Sequence, residues 1–266
     1  MSQNIKALRT RIKSVNSTLH LTKAMGLVAS SKIKKATDAM QKGRAYKSSL
    51  LQVVSLLTAS SECRKSPYMQ KRDTDRLRII VVAGDRGMAG GYNANIFRFM
   101  RDYPDAEIIA LGKRACDRYH CQYKSSEHFT VEDAMEIATA QCKDYLEGKF
   151  DRLAIVSTKY ASAISQIPEY TELLPIKSSD RASVATIFEP DELTILNFIV
   201  PEYVAGMISV AVKESFACEV TARRAAMDSA GKNATEMIND LQLSYNRARQ
   251  GAITQEITEI VAGSGV

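Results

Sequence analysis

The chain has 266 residues, 45% hydrophobic and 7% aromatic with no tryptophan, which supplies a core and fits long helices better than a β-sandwich. Its formal charge of +6 is uneven: residues 1–60 hold eleven Lys and Arg against one acid, Asp38, a segment charge of +10 that leaves −4 for the rest. That asymmetry points to an anionic partner, and five cysteines (63, 116, 121, 142, 218) without a C-x-x-C give no sign of a disulfide framework and fit a reducing compartment.

The N-terminus lacks the apolar core of a signal peptide and the character of a transit peptide. Ile5, Leu8, Ile12, Val15 and Leu19 alternate at spacings of three and four, and the register continues through Thr22, Gly26, Ala29, Ile33, Ala36 and Met40. This is a coiled-coil seam over about five heptads, turning from large aliphatics to small residues that admit a close partner. No proline precedes Pro67, so a helix of some sixty residues, roughly 90 Å long, is expected.

After a polar break at 60–75 the period switches. Strands are expected at Arg78–Gly84, Glu107–Gly112 and Arg152–Ser157, with weaker ones at Glu172–Ile176 and Ala185–Phe188. Helices are expected around Asn93–Arg101, Lys113–Tyr119 and Val131–Glu147. This alternation reads as an open, mostly parallel, Rossmann-like sheet. From Asp191 to about Val261 the pattern is helical again, with a distortion expected at Pro201. Its seam is read through Met227, Ala230, Ala234, Met237, Leu241, Ser244, Ala248 and Gly251, and its end carries Ile253, Ile257 and Ile260. The apolar stretch Leu193–Val212 is interrupted by Asn197, Pro201 and Glu202 and is rejected as a membrane span. The expected architecture is α/β with long helices. Residues 1–60 and 191–266 form an antiparallel coiled coil around a middle domain, 61–190.

Several chemistries are tempting. Glycines 84, 87, 90 and 91 after a strand resemble a phosphate cradle, but the spacing is neither G-x-G-x-x-G nor a P-loop, and a tight strand-to-helix turn explains them. Gly231-Lys232 lacks the rest of a P-loop and sits mid-helix. Cys116, His120, Cys121 and His128 match no zinc spacing and read as buried thiols and surface histidines. No catalytic, cofactor or metal residues are assigned. The basic helix suits nucleic acid or a membrane surface in principle. Its narrow seam without Trp or Phe, and the near absence of acid, favour a buried helix partner and an acidic protein surface.

The stretch Ile12-Lys-Ser-Val15, Thr18, Leu21-Thr-Lys-Ala-Met25, Val28-Ala29 and Ser31-Lys32 resembles the N-terminal helix of the gamma subunit of F-type ATP synthases. Leu241–Val261, with its Y-N-x-A-R-Q-x-x-I-T-x-E-I-x-E-I-V core, is closer still. Asp85-Arg-Gly87 with Gly90-Gly-Tyr-Asn93, Ala222-Arg223 with Ala226-Met227, and Ile187–Asp191 resemble further family segments.

The resemblance implies a non-catalytic central-stalk rotor. Its paired helices would stand within a head of three alpha and three beta subunits, and its middle domain against the epsilon subunit and the c-subunit ring, with no nucleic acid partner and no cofactor. It implies that Lys23 and Met25 face moving beta loops and that Arg223, Gln250, Thr254 and Glu256 make coupling contacts to the head. Phe188 and Glu189 would lie toward epsilon and the c-ring. It implies a peripheral protein on the cytoplasmic face of a bacterial membrane, or the matrix or stromal side of an organelle membrane after processing. The chain departs from the family pattern at Gly26, Gly251, Arg224 and Ala89. Two rival functions remain: a nucleotide-dependent enzyme using the Gly84–Gly91 loop, and a nucleic-acid adaptor using residues 1–60.

Overall fold

The computed structural model describes residues 2–72, 74–121, 124–178 and 188–263. The chain divides into two compact units, one of residues 1–30 and 223–266 and the other of residues 31–222. Helix α1 (Ser2–Thr58) and helix α5 (Glu192–Gly263) contribute to both.

In the first unit α1 and α5 pair antiparallel. A Cβ on Gly26 would lie 3.6 Å from the Cβ of Met227, and one on Gly231 would lie 3.8 Å from Thr22 Oγ1 and 3.9 Å from Leu19 Cδ1. Thr22, Gly26 and Ala29 are buried, so the small residues of α1 mark where the backbones come close. Arg224 closes this section by donating to the Gly26 carbonyl (3.3 Å) and to Ser30 Oγ, with Asp228 accepting from its Nε at 2.8 Å. Two departures from the family pattern, Gly26 and Arg224, therefore meet in space.

Beyond Ala234 the seam of α5 keeps Leu241 and Ala248 but differs from expectation at Met237, Ser244 and Gly251. Met237 is 44% exposed whereas Ile238 is 8% exposed. Likewise Ser244 and Gly251 are exposed while Tyr245 and Ala252 are half-buried. The contact positions run 230, 234, 238, 241, an eleven-residue step that follows the straight helix more closely than a strict heptad does. At this register Gly251 comes level with the first turn of α1, and nothing lies within 4 Å of where its Cβ would sit. The last turns of α5 expose Ile253, Ile257 and Ile260.

The second unit is built on four strands: β1 (Leu77–Val82), β2 (Glu107–Leu111), β3 (Arg152–Tyr160) and β4 (Gln166–Leu174). Their order is β2-β1-β3-β4, parallel between β1 and its two neighbours and antiparallel between β3 and β4. The sheet is thus mixed, its last strand entering by a hairpin. That hairpin begins β4 earlier than its sequence indicates. Ser162 Oγ accepts from the N–H groups of Ile164 and Ser165 and fixes the turn. As an edge strand β4 needs no continuous apolar run and tolerates Pro168. The expected strand at Ala185–Phe188 lies largely outside the described residues.

Helices α2 (Tyr92–Phe99), α3 (Lys113–Tyr119) and α4 (Val131–Leu146) complete the unit. Thr130 and Asp133 start α4 with a reciprocal capping box. Ile80, Val82, Leu153 and Ile155 pack with Leu50, Val54 and Leu57 of α1, Ala138 and Tyr145 of α4, and Val200, Val204 and Ile208 of α5. Ile79, Val81, Ala154 and Val156 pack instead with Tyr92 and Ile96 of α2 and Ala115 of α3. Both faces are covered, which is why the central strands read as unbroken apolar runs.

Helix α5 is long and apolar enough to cross a membrane by length and composition, but 61% of its most apolar window is buried. It continues helical through Pro201, which removes one backbone bond, to the carbonyl of Asn197. Farther along, Gly206 lets it approach α1: a Cβ there would lie 2.7 Å from Leu50 Cδ2 and 2.9 Å from Tyr46 Cε1.

The two glycines therefore behave oppositely on substitution. Gly26→Ala meets only ordinary contacts and should stabilise by about 1 kcal/mol, since glycine costs a helix that much relative to alanine. Gly206→Ala should destabilise by about 1–3 kcal/mol through overpacking. Thermal unfolding of the two variants checks this, and equal melting temperatures would contradict the close crossing at Gly206.

Candidate coupling surfaces and the sheet–helix junction

Among the described residues, the cations of α1 mostly have no carboxylate partner. Lys32 pairs with Glu127 and Arg44 with Glu214. Among the described residues, Lys6, Arg9, Arg11, Lys13 and Lys23 of the first unit, and Lys34, Lys35, Lys42 and Lys47 of the second, have no carboxylate within ion-pair distance. Solvent-exposed charges of one sign repel, so the segment gains from an external acidic surface.

Lys23, Gln250, Thr254 and Glu256 are exposed, and Met25 and Arg223 are half-buried. The structure does not bring these six together. Lys23, Met25 and Arg223 lie near the Gly26–Met227 contact, whereas Gln250, Thr254 and Glu256 sit roughly 35–45 Å farther along α5. Thr254 and Gln250 share a face, Thr254 Oγ1 donating to the Gln250 carbonyl at 2.9 Å. In the second unit Phe188 is half-buried against the core while Glu189 is exposed. Sequence reasoning missed Phe198, which stands 82% exposed on α5. Its signal was hidden because it lies inside an apolar run whose other members pack inward.

The sheet also answers the question of a nucleotide crevice. In an open α/β sheet, ligands bind outside the carboxyl ends of the strands where the order reverses, here between β1 and β3. Helix α5 fills that place. Ser215 Oγ accepts from Thr158 N at 3.0 Å, Glu214 Oε1 accepts from Tyr160 N at 2.9 Å, and the Ser215 carbonyl accepts from the Tyr92 hydroxyl at 3.0 Å. At the end of β1, a Cβ on Gly84 would lie 2.6 Å from the Glu219 carboxylate carbon. Gly84 is thus required for the approach of the Glu219 side chain, which takes the space a phosphate would need. One sequence signal was available for Glu219 alone: it stands between Ala217, Cys218 and Val220, and it is 2% exposed.

The glycine loop is anchored from within. Gly84 N donates to Asn93 Oδ1 at 2.9 Å. The Asp85 carboxylate accepts from the backbone N–H groups of Lys113, Ser126 and Glu127 and from the Ser125 hydroxyl, at 2.7–3.1 Å. Burial alone would raise the Asp85 carboxyl, but these donors outweigh it and hold it below its ordinary value. Glu127 is likewise held low: burial opposes its charge, and the Lys32 ammonium and Arg86 guanidinium overcome that. The loop so fixed is tied to α1 through Lys32. The thiols considered as metal ligands face carbonyls, Cys116 donating to Ala110 and Cys121 to Ile108 and Tyr119.

Comparison with known proteins matches residues 4–265 to the family model described as ATP synthase. A Ruminococcus albus protein named ATP synthase gamma chain is 38% identical, with 98% of each chain covered. One from Acetobacterium woodii, named ATP synthase gamma chain, sodium ion specific, is 33% identical over 99% of each. Among solved structures, a chain of the Euglena gracilis mitochondrial ATP synthase (OSCP, F1 and c-ring) superposes with a TM-score of 0.70. It is 17% identical, with 100% of this chain and 97% of that one covered. A chain from the Tetrahymena thermophila central stalk and c-ring gives a TM-score of 0.62 at 22% identity, covering 79% of this chain and 99% of that one. At these identities the structural likeness speaks to the fold.

Asp85→Asn removes the charge that the loop's donors converge on and should cost about 2 kcal/mol near neutrality. Because the folded carboxyl titrates below its ordinary value of 3.8, its contribution is full above that value and fades as pH falls through the lower folded one. Denaturant unfolding should therefore show a gap between wild type and variant at pH 7 that narrows below about pH 4. A gap independent of pH would rule out the carboxylate as its source.

Proposed function

We propose, from the fact that this chain belongs to the ATP synthase gamma-chain family, that it is the turning shaft of that complex and has no active site of its own. One observation carries the mechanical reading: the last turns of α5 carry Ile253, Ile257 and Ile260 exposed on one helix end. A single apolar helix end is unfavourable in water and suits an apolar sleeve, within which few hydrogen bonds need break as it turns.

On this reading the paired helices stand within three alpha and three beta subunits. The unneutralised cations of α1 face acidic loops there. Lys23 and Met25 meet the moving beta loops, and Arg223, Gln250, Thr254 and Glu256 make polar contacts with the head. The middle domain, residues 61–190, turns with the epsilon subunit and the c-subunit ring through Phe188 and Glu189, and Phe198 adds an exposed aromatic ring to that region. Ion flow turns the ring and the shaft, and the shaft biases the beta sites in sequence. The complex sits peripherally on the cytoplasmic face of a bacterial membrane. The nucleotide-enzyme alternative is disfavoured by the filled crevice at β1 and β3.

Tagging the chain and purifying from native membranes tests this. Alpha, beta and epsilon should be recovered at three, three and one per copy, with ATPase activity in the assembly and none in the chain alone. Ile257→Asp should leave assembly intact and lower ATP-driven ion uptake. Recovery of a lone chain that binds ATP would refute the shaft reading.

A further inference from the structure

A shaft that carries torque must be held to the α/β body against twisting. Most of the contact between α1, α5 and the sheet is apolar, and apolar contact is strong but non-directional. Directional bonds gather at the carboxyl end of β3. One guanidinium nitrogen of Arg44, on α1, donates to the Tyr160 carbonyl at 2.7 Å and to Glu214 Oε1 at 2.6 Å. The same Glu214 oxygen, on α5, accepts from Tyr160 N at 2.9 Å. One residue later, Ser215 accepts from Thr158 N through its hydroxyl oxygen and from the Tyr92 hydroxyl through its carbonyl.

Both backbone groups of Tyr160 are therefore taken by the two long helices, one by each ion-pair partner. β3 is paired to β1 as far as Val156 and to β4 as far as Tyr160, so a load on this central strand reaches both helices where it runs out beyond β1. Charge-assisted bonds of this length resist reorientation more than neutral ones, and the Glu214 side chain is only 13% exposed.

We propose that Arg44 and Glu214 are positioning residues that key α1 and α5 to the sheet, so that body and helix pair turn as one. The assignment rests on the shaft reading above. It names where rotation passes from body to helices, and it acts through stiffness and not through contact with a reacting group.

The test uses the whole ATP synthase with its head immobilised and stalled and a bead carried on α4. The angular variance of the bead reports the torsional stiffness between body and head. Glu214→Ala and Arg44→Ala should each raise that variance severalfold at a temperature well below unfolding. Arg44→Lys, which keeps the charge, should restore most of the stiffness. An effect confined to folding would lower the melting temperature and leave the variance unchanged. Unchanged variance in either alanine variant that assembles overturns the assignment, and so does failure of both to assemble, since the pair would then serve the fold alone. If the wild-type complex shows no rotation of the bead on adding ATP, the shaft reading itself fails, an outcome distinct from the others.

Discussion

Close antiparallel contact between α1 and α5 is the constraint on which everything else rests. Neither helix is stable by propensity at this length with glycines in its interior, so each needs the other's seam. Small residues set the spacing: Gly26 stands against Met227 in one unit, and Gly43 against Val210 and Gly206 against Leu50 in the other. Where the residues are small, hydrophobic burial per residue is modest, and polar latches such as Arg224 to Ser30 and the Gly26 carbonyl add direction. A narrow pair of helices with its cations outward follows from that choice of seam.

The second consequence concerns the sheet. A doubly wound sheet would ordinarily leave a crevice at the carboxyl ends of β1 and β3 for a ligand. Here the residues that occupy it belong to α5, and they satisfy strand N–H groups that a ligand would otherwise bind. The fold retains the glycine turn of a binding site while Gly84 serves the approach of Glu219. The place a small molecule would take in such a sheet serves here as a mount for a helix.

Much of this was legible in the chain itself. On α1 the positions from Thr22 to Ala29 and from Ala36 to Met40 that the three-four spacing selects are the ones the structure buries. On α5 the same rule holds at Leu241 and Ala248 but misplaces every second position after Ala234, because an eleven-residue step enters the heptad and only the packed partner reveals it: Ile238, not Met237, turns inward. The early start of β4 was hidden by Pro168 and Glu169, which an edge strand can carry. The junction at Glu214 could not be read from spacing, since an acid on a helix is by default a solvated one, and only the sheet beneath shows that Tyr160 N–H needs it. The proposed coupling residues are the least legible, because Lys23, Gln250 and Glu256 are exposed and no packing within this chain singles them out.

The most direct test of the central claim is a disulfide between the two helices. The Cβ positions of residues 26 and 227 lie 3.6 Å apart, within the range a disulfide spans. Gly26→Cys combined with Met227→Cys should oxidise to a bridge in the assembled ATP synthase while ATP-driven ion uptake persists, because the helices turn as one body. Absence of the bridge under oxidation would contradict the register. A bridge that halts uptake and is relieved by reduction would show that the helices must move against each other, and the single-shaft account would fall.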